Sequence, residues 1–309
     1  MVLESFAKLP PCEIGIQACG GAHYWSRELM KLGHTVKLMA PHYVIPYRTR
    51  GKNDANDAEA ICEAMSRPKT RFVATKSEEQ QSILMIHRAR ALVMTTRTAL
   101  VNQMHGLLGE FGILVPKAPT RLRRELPGIL QNAENSLPAL ARETLSGLLE
   151  QFRILDQQVA GYDRKFREIA AANKPVRRLM EVESIGPQTA TALVATIGDP
   201  HVYGSARNYA ASIGLTPKQD STGGVTRLGS ITRHGDSYIR TLLVLGAHAY
   251  LRTMNKKNDR KTAWARRLKE RRHVNVAAVA LAAKHARVAW ALLAHGTDYR
   301  PAGPEVIAA

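Results

Sequence analysis

The chain has 309 residues, and its 44 Lys and Arg against 26 Asp and Glu give a formal charge of +18 and a pI near 10.1. That length accommodates two or three domains, and a basic excess spread along the whole chain implies a polyanionic partner, nucleic acid first. Aromatic residues at 6% argue against a base-stacking platform, and Cys12, Cys19 and Cys62 form neither a CxxC pair nor a Cys/His zinc spacing, which argues against a disulfide framework.

Met1-Val2-Leu3-Glu4 lacks a basic segment leading into an apolar core, so no secretory signal is read there. Glu13 to Gln17 is a short apolar run with polar ends, read as a buried strand. Cys19-Gly20-Gly21 turns the chain, and Tyr24 to Leu32 has helical spacing that stops at Gly33. Thr35 to Met39 is a second strand, ended by Ala40-Pro41, and Phe72 to Thr75 a possible third. Strand, helix, strand, loop and helix make a βαβ piece of an α/β layer. Only two or three strands precede residue 76, so the expectation is a chain that begins inside a domain.

Between those strands lies Gly51-Lys52-Asn53-Asp54-Ala55-Asn56-Asp57, opening an alanine-rich helix with Asn53 or Asp54 as its N-cap. Asp54 and Asp57 at i and i+3 share one helix face, with Cβ atoms roughly 5–6 Å apart. Two carboxylates there suit a hard cation such as Mg2+, and equally suit simple complementation of the helix dipole. Arg48, Arg50 and Lys52 in the preceding loop are placed for phosphates.

Ser77 to about Phe111 is a long proline-free helical run. Pro116, Pro119 and Pro127 break the chain, and Leu137 to Ala172 is helical again. Two amphipathic helices around a proline-rich connector predict an antiparallel coiled-coil arm serving dimerisation before binding. After Asn173-Lys174-Pro175, the stretch Leu179 to Ala190 has the pattern of a helix-hairpin-helix. Its turn, with Gly186, Gln188 and Thr189, would aim backbone N–H groups at a phosphate. Ser184 stands where the first glycine of that motif usually does.

The segment from Gly214 to Asp236 is a loop rich in Gly, hydroxyls and Arg. Arg227 and Arg233 could hold phosphate oxygens, and a hydroxyl of Ser221 or Thr222 could attack a phosphodiester. Ser237 to Leu251 is a helix. Asn255 to His273 holds nine Lys or Arg against two acids, with Arg266 and Arg267 beside Trp264, and reads as a nucleic-acid groove. Val274 to Leu293 is interrupted by Lys284, His285 and Arg287, so it is read as a packed amphipathic helix and not a membrane span.

Taken together, Ile14-Gly15-Ile16-Gln17-Ala18-Cys19-Gly20-Gly21-Ala22-His23-Tyr24-Trp25, the KNDANDAEAICEA stretch, SIGPQTATAL and GLTPKQDSTGGVTRLGSITRHGD resemble the DEDD-type insertion-sequence transposases. These are relatives of site-specific DNA invertases and of bridge-RNA-guided recombinases. The resemblance spans essentially the whole chain in the family's order. It implies an α/β plus mainly α architecture: a partial RuvC-like (RNase H-type) domain over 1–76, a coiled-coil helical arm over 77–172, and a helical C-terminal transposase domain over 173–309. It also implies exchange of double-stranded DNA through a serine nucleophile and a Mg2+-binding carboxylate site, guided by a structured RNA, in a homodimer or tetramer in the cytoplasm, associated with the nucleoid. Carried over by motif, Asp54 and Asp57 are the last two carboxylates, and Ser221 is the nucleophile with Thr222 its neighbour. Gln17 stands where the second carboxylate belongs, offering at most a carbonyl oxygen, and the first Asp has no counterpart. An N-terminally truncated copy, catalytically decayed and retaining only nucleic-acid binding, is the alternative expectation.

Overall fold

The computed structural model of the chain describes residues 2–49, 51, 53–68, 70–254, 259–301 and 303. It divides into two units, Met1–Ser82 with Asn173–Ala309, and Ile83–Ala172.

In the first unit, α1 (Val2–Ala7) precedes β1 (Glu13–Gln17), α2 (Ala22–Lys31) and β2 (Thr35–Met39). The two strands are parallel, from Glu13 opposite Thr35 to Gln17 opposite Met39, with α2 as the crossover. β3 (Phe72–Val73) lies antiparallel on the far side of β2, so β2 is central. Between β2 and β3 come α3 (Pro41–Val44), a 3-10 turn and α4 (Asp54–Ser66). Met39, Val44, Ala60 and Ala64 form the small core there. Gly15 has no side chain because α4 lies against the strand: a Cβ would come within 2.8 Å of Ile61 Cγ2.

The remainder of this unit is helical: α8 (Lys174–Met180), α9 (Pro187–Ile197), α10 (Ala206–Ser212), α11 (Ser237–Thr253), α12 (Arg260–Arg271) and α13 (Val274–His295). A short hairpin of β4 (Pro217–Gln219) and β5 (Leu228–Ile231) interrupts the helices. α13 is the element against which α8 to α12 pack. Five of the nine residues on its buried face are alanines (Ala277, Ala278, Ala282, Ala286 and Ala289), and such small residues let backbones approach closely. By length and composition α13 could cross a membrane, but half of its apolar window is buried among its neighbours.

The second unit contains α5 (Glu78–Gly109) from Ile83 onward, α6 (Pro119–Gln131) and α7 (Ala139–Ala172). Stacking of His87 on Phe166 and the ion pairs Arg90–Asp163 and Arg97–Asp156 run in opposite senses along α5 and α7, so the two are antiparallel. The connector expected from Pro116, Pro119 and Pro127 is instead largely a helix. Pro119 sits in its first turn, where no hydrogen bond is lost, and Pro127 forfeits one bond inside it. Leu122 and Leu126, one turn apart and fully buried with Met104, Leu108 and Phe152, more than offset that loss.

Two histidines carry a pH dependence. Burial, and then the charge of Lys261, push His285 down to about 3; burial, and then Arg90, push His87 down to about 4. Both are held neutral when folded, so the unfolded chain binds more protons below its ordinary histidine value of about 6.5. Stability is therefore fully present above that pH and falls as pH drops towards 3, by up to about 1.4 kcal/mol per pH unit for each group. Urea midpoints at pH 7.5 and 5.0 measure this. Identical midpoints would rule the assignment out, and His285→Asn is expected to remove part of the slope.

Candidate functional site

The carboxylate end is built by the cap of α4. Asn53 Oδ1 accepts from the Asn56 N–H at 2.7 Å, and Asn56 Nδ2 donates to the Gly51 carbonyl at 3.2 Å. This cap sets Asp54 and Asp57 in the first helical turn, Asp54 exposed and Asp57 half-buried. Asp57 Oδ1 lies 3.7 Å from the Arg48 guanidinium, an ion pair across the loop. Arg50 and Lys52 lie outside the described residues. Gln17 is the last residue of β1, half-buried. Among the described residues no group of three or more His, Cys, Asp or Glu gathers as a cation cage. Asp54 and Asp57 are thus two carboxylates on one helical turn, and one of them is paired with Arg48.

The Ser/Gly loop is an antiparallel hairpin where the sequence suggested irregular chain. Thr222 pairs with Val225 across Gly223 and Gly224, both at positive φ, in a tight turn that glycine permits. Ser221 Oγ accepts from Gln219 Nε2 at 3.0 Å and from the Arg227 N–H at 3.2 Å. Both bonds use the oxygen's lone pairs, so its own proton is free to be donated outward. The strand segments from Pro217 to Ser230 are exposed, Ser221, Thr222 and Arg227 included.

The root of the hairpin is as tight as its tip is open. Gly214, Arg233 and Gly235 all take positive φ, and Arg233 N–H donates to the Gly214 carbonyl at 3.2 Å. A non-glycine residue in that region stores roughly 1–3 kcal/mol, tolerated where surrounding contacts over-determine it. Those contacts include Arg240, whose Nη1 donates to the carbonyls of Ile213 (2.8 Å) and His234 (2.9 Å), closing the two ends. Asp236 caps α11 immediately after, accepting from Tyr238 and Ile239 N–H groups. His42 on α3 is pulled below the usual imidazole range by burial and then by the charge of His234. No hydrogen bond or ion pair among the described residues joins Asp54 or Asp57 to the hairpin.

At the turn between α8 and α9, Ser184 takes φ +73 and directs its carbonyl at Gly246, where a Cβ would stand 2.5 Å away. Gly186 is exposed at the N-cap of α9, Gln188 Nε2 donates to Tyr238 Oη at 3.0 Å, and Thr189 is buried. The neighbouring Glu183 pairs with the buried Lys261 of α12, whose ammonium also lies 4.6 Å from the Tyr250 ring. Burial works to lower the Lys261 pKa, but the Glu183 hydrogen bond and nearby acceptors leave it raised above its ordinary value. Tyr250 Oη is 2.6 Å from Thr262 Oγ1, which donates to the α12 cap Asp259 at 2.7 Å. This network anchors α12 so that Arg267 is exposed and Arg266 half-buried on its outer side.

Glu183→Ala leaves a buried ammonium unpaired and is expected to cost about 3 kcal/mol. Lys261→Met removes the charge itself and leaves Glu183 partly in water, so about 1 kcal/mol is expected. Denaturant titration of both variants checks the ordering, and an equal loss would mean the pair is not desolvated. The roles of Arg240, Gln219 and Glu183 are absent from the sequence reading. Only the Asp236 cap, four residues before Arg240, offered a local signal.

Two family models match the chain. One, described as the transposase IS116/IS110/IS902 family, covers residues 176–263 and with them the hairpin; the other, a DEDD-type IS110 transposase model, covers 2–113 and with them Gln17, Asp54 and Asp57. The chain is 45% identical to a probable family 20 transposase of Pseudomonas aeruginosa, over 97% of this chain and 89% of that protein. It is 43% identical to the putative transposase y4pF/y4sB of Sinorhizobium fredii, over 97% of this chain and 78% of that one. Its identity to the transposase for insertion sequence element IS1328 of Yersinia enterocolitica is 38%, over 96% and 88%.

Proposed function

The chain belongs to the IS116/IS110/IS902 family of transposases, and from that premise we propose that it exchanges strands of double-stranded DNA through Ser221. The observation that carries this reading is the Ser221 hydroxyl: exposed on a hairpin held firmly at its root, with two donors on its oxygen and its proton free. Ser221 Oγ attacks a phosphorus, the new Oγ–P bond replaces one P–O bond of the strand, and the departing oxygen leaves with a proton. Attack by another strand's hydroxyl on that ester reverses the step, so the number of phosphodiesters is conserved. Arg227 and Arg233, in the same segment as Ser221, are the cations assigned to the charge that develops on phosphate. Thr222 is the weaker candidate, since its backbone is taken up in the hairpin's terminal bridge.

In this reading Asp54 and Asp57 hold Mg2+, which supplies electrostatic stabilisation of phosphate oxygens. Arg48, Gly186 at the start of α9, and Arg266 and Arg267 on α12 grip the backbone of the nucleic acid. Base pairing by a structured guide RNA supplies target choice in this proposal, within a dimer or tetramer, and these arginines serve phosphate contact.

A second reading is favoured by one observation: position 17 is an amide, and Asp54 and Asp57 belong to no group of three or more His, Cys, Asp or Glu among the described residues. It holds that the protein binds nucleic acid without cutting it. Incubating the protein with element-end DNA, the flanking non-coding RNA and Mg2+, then resolving covalent protein–DNA species, separates the two. A DNA-linked band supports strand exchange; its absence, with binding that weakens steeply as salt rises, supports the binding-only reading.

A further inference from the structure

Cys12 and His34 stand at the joint where β1 begins and the chain enters β2, apart from every group used above. His34 is 5% exposed, and its Nε2 lies 3.1 Å from the Phe6 carbonyl. A carbonyl can only accept, so Nε2 carries the ring's proton and Nδ1 is the lone-pair nitrogen. That lone pair is shared by two groups of Cys12: it accepts from the backbone N–H at 3.3 Å, and Sγ lies 3.4 Å away. The Phe6 ring stands edge-on to the imidazole at 5.9 Å, and the Thr35 N–H donates to the Cys12 carbonyl at 3.0 Å, so the ring and the sulfur-bearing backbone are both held. Cys12 itself is exposed.

A thiol with an oriented, buried base on one side and solvent on the other is the arrangement used to activate sulfur nucleophiles. We propose that Cys12 is a modification site for small-molecule disulfides, with His34 as its base. Sγ gives its proton to His34 Nδ1 and attacks one sulfur of the disulfide. A new S–S bond forms, the incoming S–S bond breaks, and the departing thiolate takes the proton from Nδ1 to leave as a thiol. One equivalent of disulfide yields one mixed disulfide and one free thiol, with no other oxidant needed. Among the described residues, Cys19 and Cys62, both exposed, have no imidazole hydrogen-bond partner; Cys19 Sγ donates to the Gly20 carbonyl instead. They are internal controls in the same chain.

An unassisted thiol is only a few per cent thiolate near neutral pH, which leaves room for about a ten-fold gain from a base in place. Under limiting dithiobis(nitrobenzoate) at pH 7, mass mapping of early time points is expected to show Cys12 modified about ten-fold faster than Cys62. His34→Gln keeps an N–H for the Phe6 carbonyl but has no basic nitrogen, and is expected to bring Cys12 to the Cys62 rate while leaving Cys62 unchanged. Equal rates for Cys12 and Cys62 in the unaltered protein would overturn the proposal without recourse to any variant. So would a His34→Gln protein that is folded, by an unchanged circular dichroism spectrum, and still reacts faster at Cys12.

Discussion

Ser221→Ala is expected to abolish the covalent protein–DNA species and to lower strand cleavage about a thousand-fold or more, while duplex affinity stays within two-fold. The reasoning is chemical. No other group replaces a deleted nucleophile, and effects of that order follow loss of the attacking atom. Binding is spared because the side chain is small, exposed at the hairpin and hydrogen-bonded only to Gln219 and the Arg227 backbone. Thr222→Ala is expected to retain cleavage within ten-fold, since the Thr222–Val225 bridge is a backbone feature that alanine preserves. Gel resolution of adducts, alongside binding isotherms at two salt concentrations, reads both quantities. Adduct formation that survives Ser221→Ala but is lost in Thr222→Ala would move the nucleophile by one residue. Survival in both would remove the hydroxyl mechanism altogether.

Gly235→Ala is expected to be the most damaging single methyl in this region, costing about 3 kcal/mol or more. Its φ of +69 is a conformation in which an L-residue loses about 1 kcal/mol, and the added Cβ would run into the Ser212 carbonyl oxygen. Ser212 cannot retreat easily, because the chain leaves its helix there through Ile213 and Gly214, which Arg240 and Arg233 hold against the other end of the hairpin. Overpacking against backbone adds a further 1–3 kcal/mol. Gly224→Ala at the hairpin tip isolates the dihedral part: its φ is +76, yet nothing lies within 4 Å of a Cβ there. About 1 kcal/mol is expected for it. Urea titrations of the two variants give the comparison, and similar losses at root and tip would mean that the root is not the rigid point. Loss of DNA cleavage in Gly235→Ala at temperatures where the protein remains folded would further tie the root to the placement of Ser221.

Much of this molecule was legible before folding. The strands at Glu13–Gln17 and Thr35–Met39 matched in full, because a short apolar run bounded by Gly or Pro has few alternatives. Asn53 was one of two candidate caps for α4, and α5, α7, α11 and α13 fell within three residues of where their apolar spacing placed them. Caps, breakers and periodicity act over one or two turns, so they can be read from neighbours in the chain. The family motifs were legible for the same reason, as contiguous strings.

What the sequence could not decide were the choices made by partners far along the chain. Pro127 read as a break, but α6 persists across it because Leu122 and Leu126 are buried against Met104 and Phe152, whose packing outweighs one lost hydrogen bond. The glycines from 214 to 235 read as a flexible loop. They instead make a hairpin, since close approach at Gly214 and Gly235 lets Arg240 tie Ile213 to His234. Arg48, read as placed for phosphate, also lies 3.7 Å from Asp57, a pairing that its loop position does not announce. Glu183 and Lys261, 78 residues apart, and Cys12 and His34, 22 apart, have nothing in their local sequence that announces the other. Local propensity is set by each residue and its neighbours, whereas the cost of an unpaired buried charge or an occupied approach exists only once the chain has brought the two surfaces together.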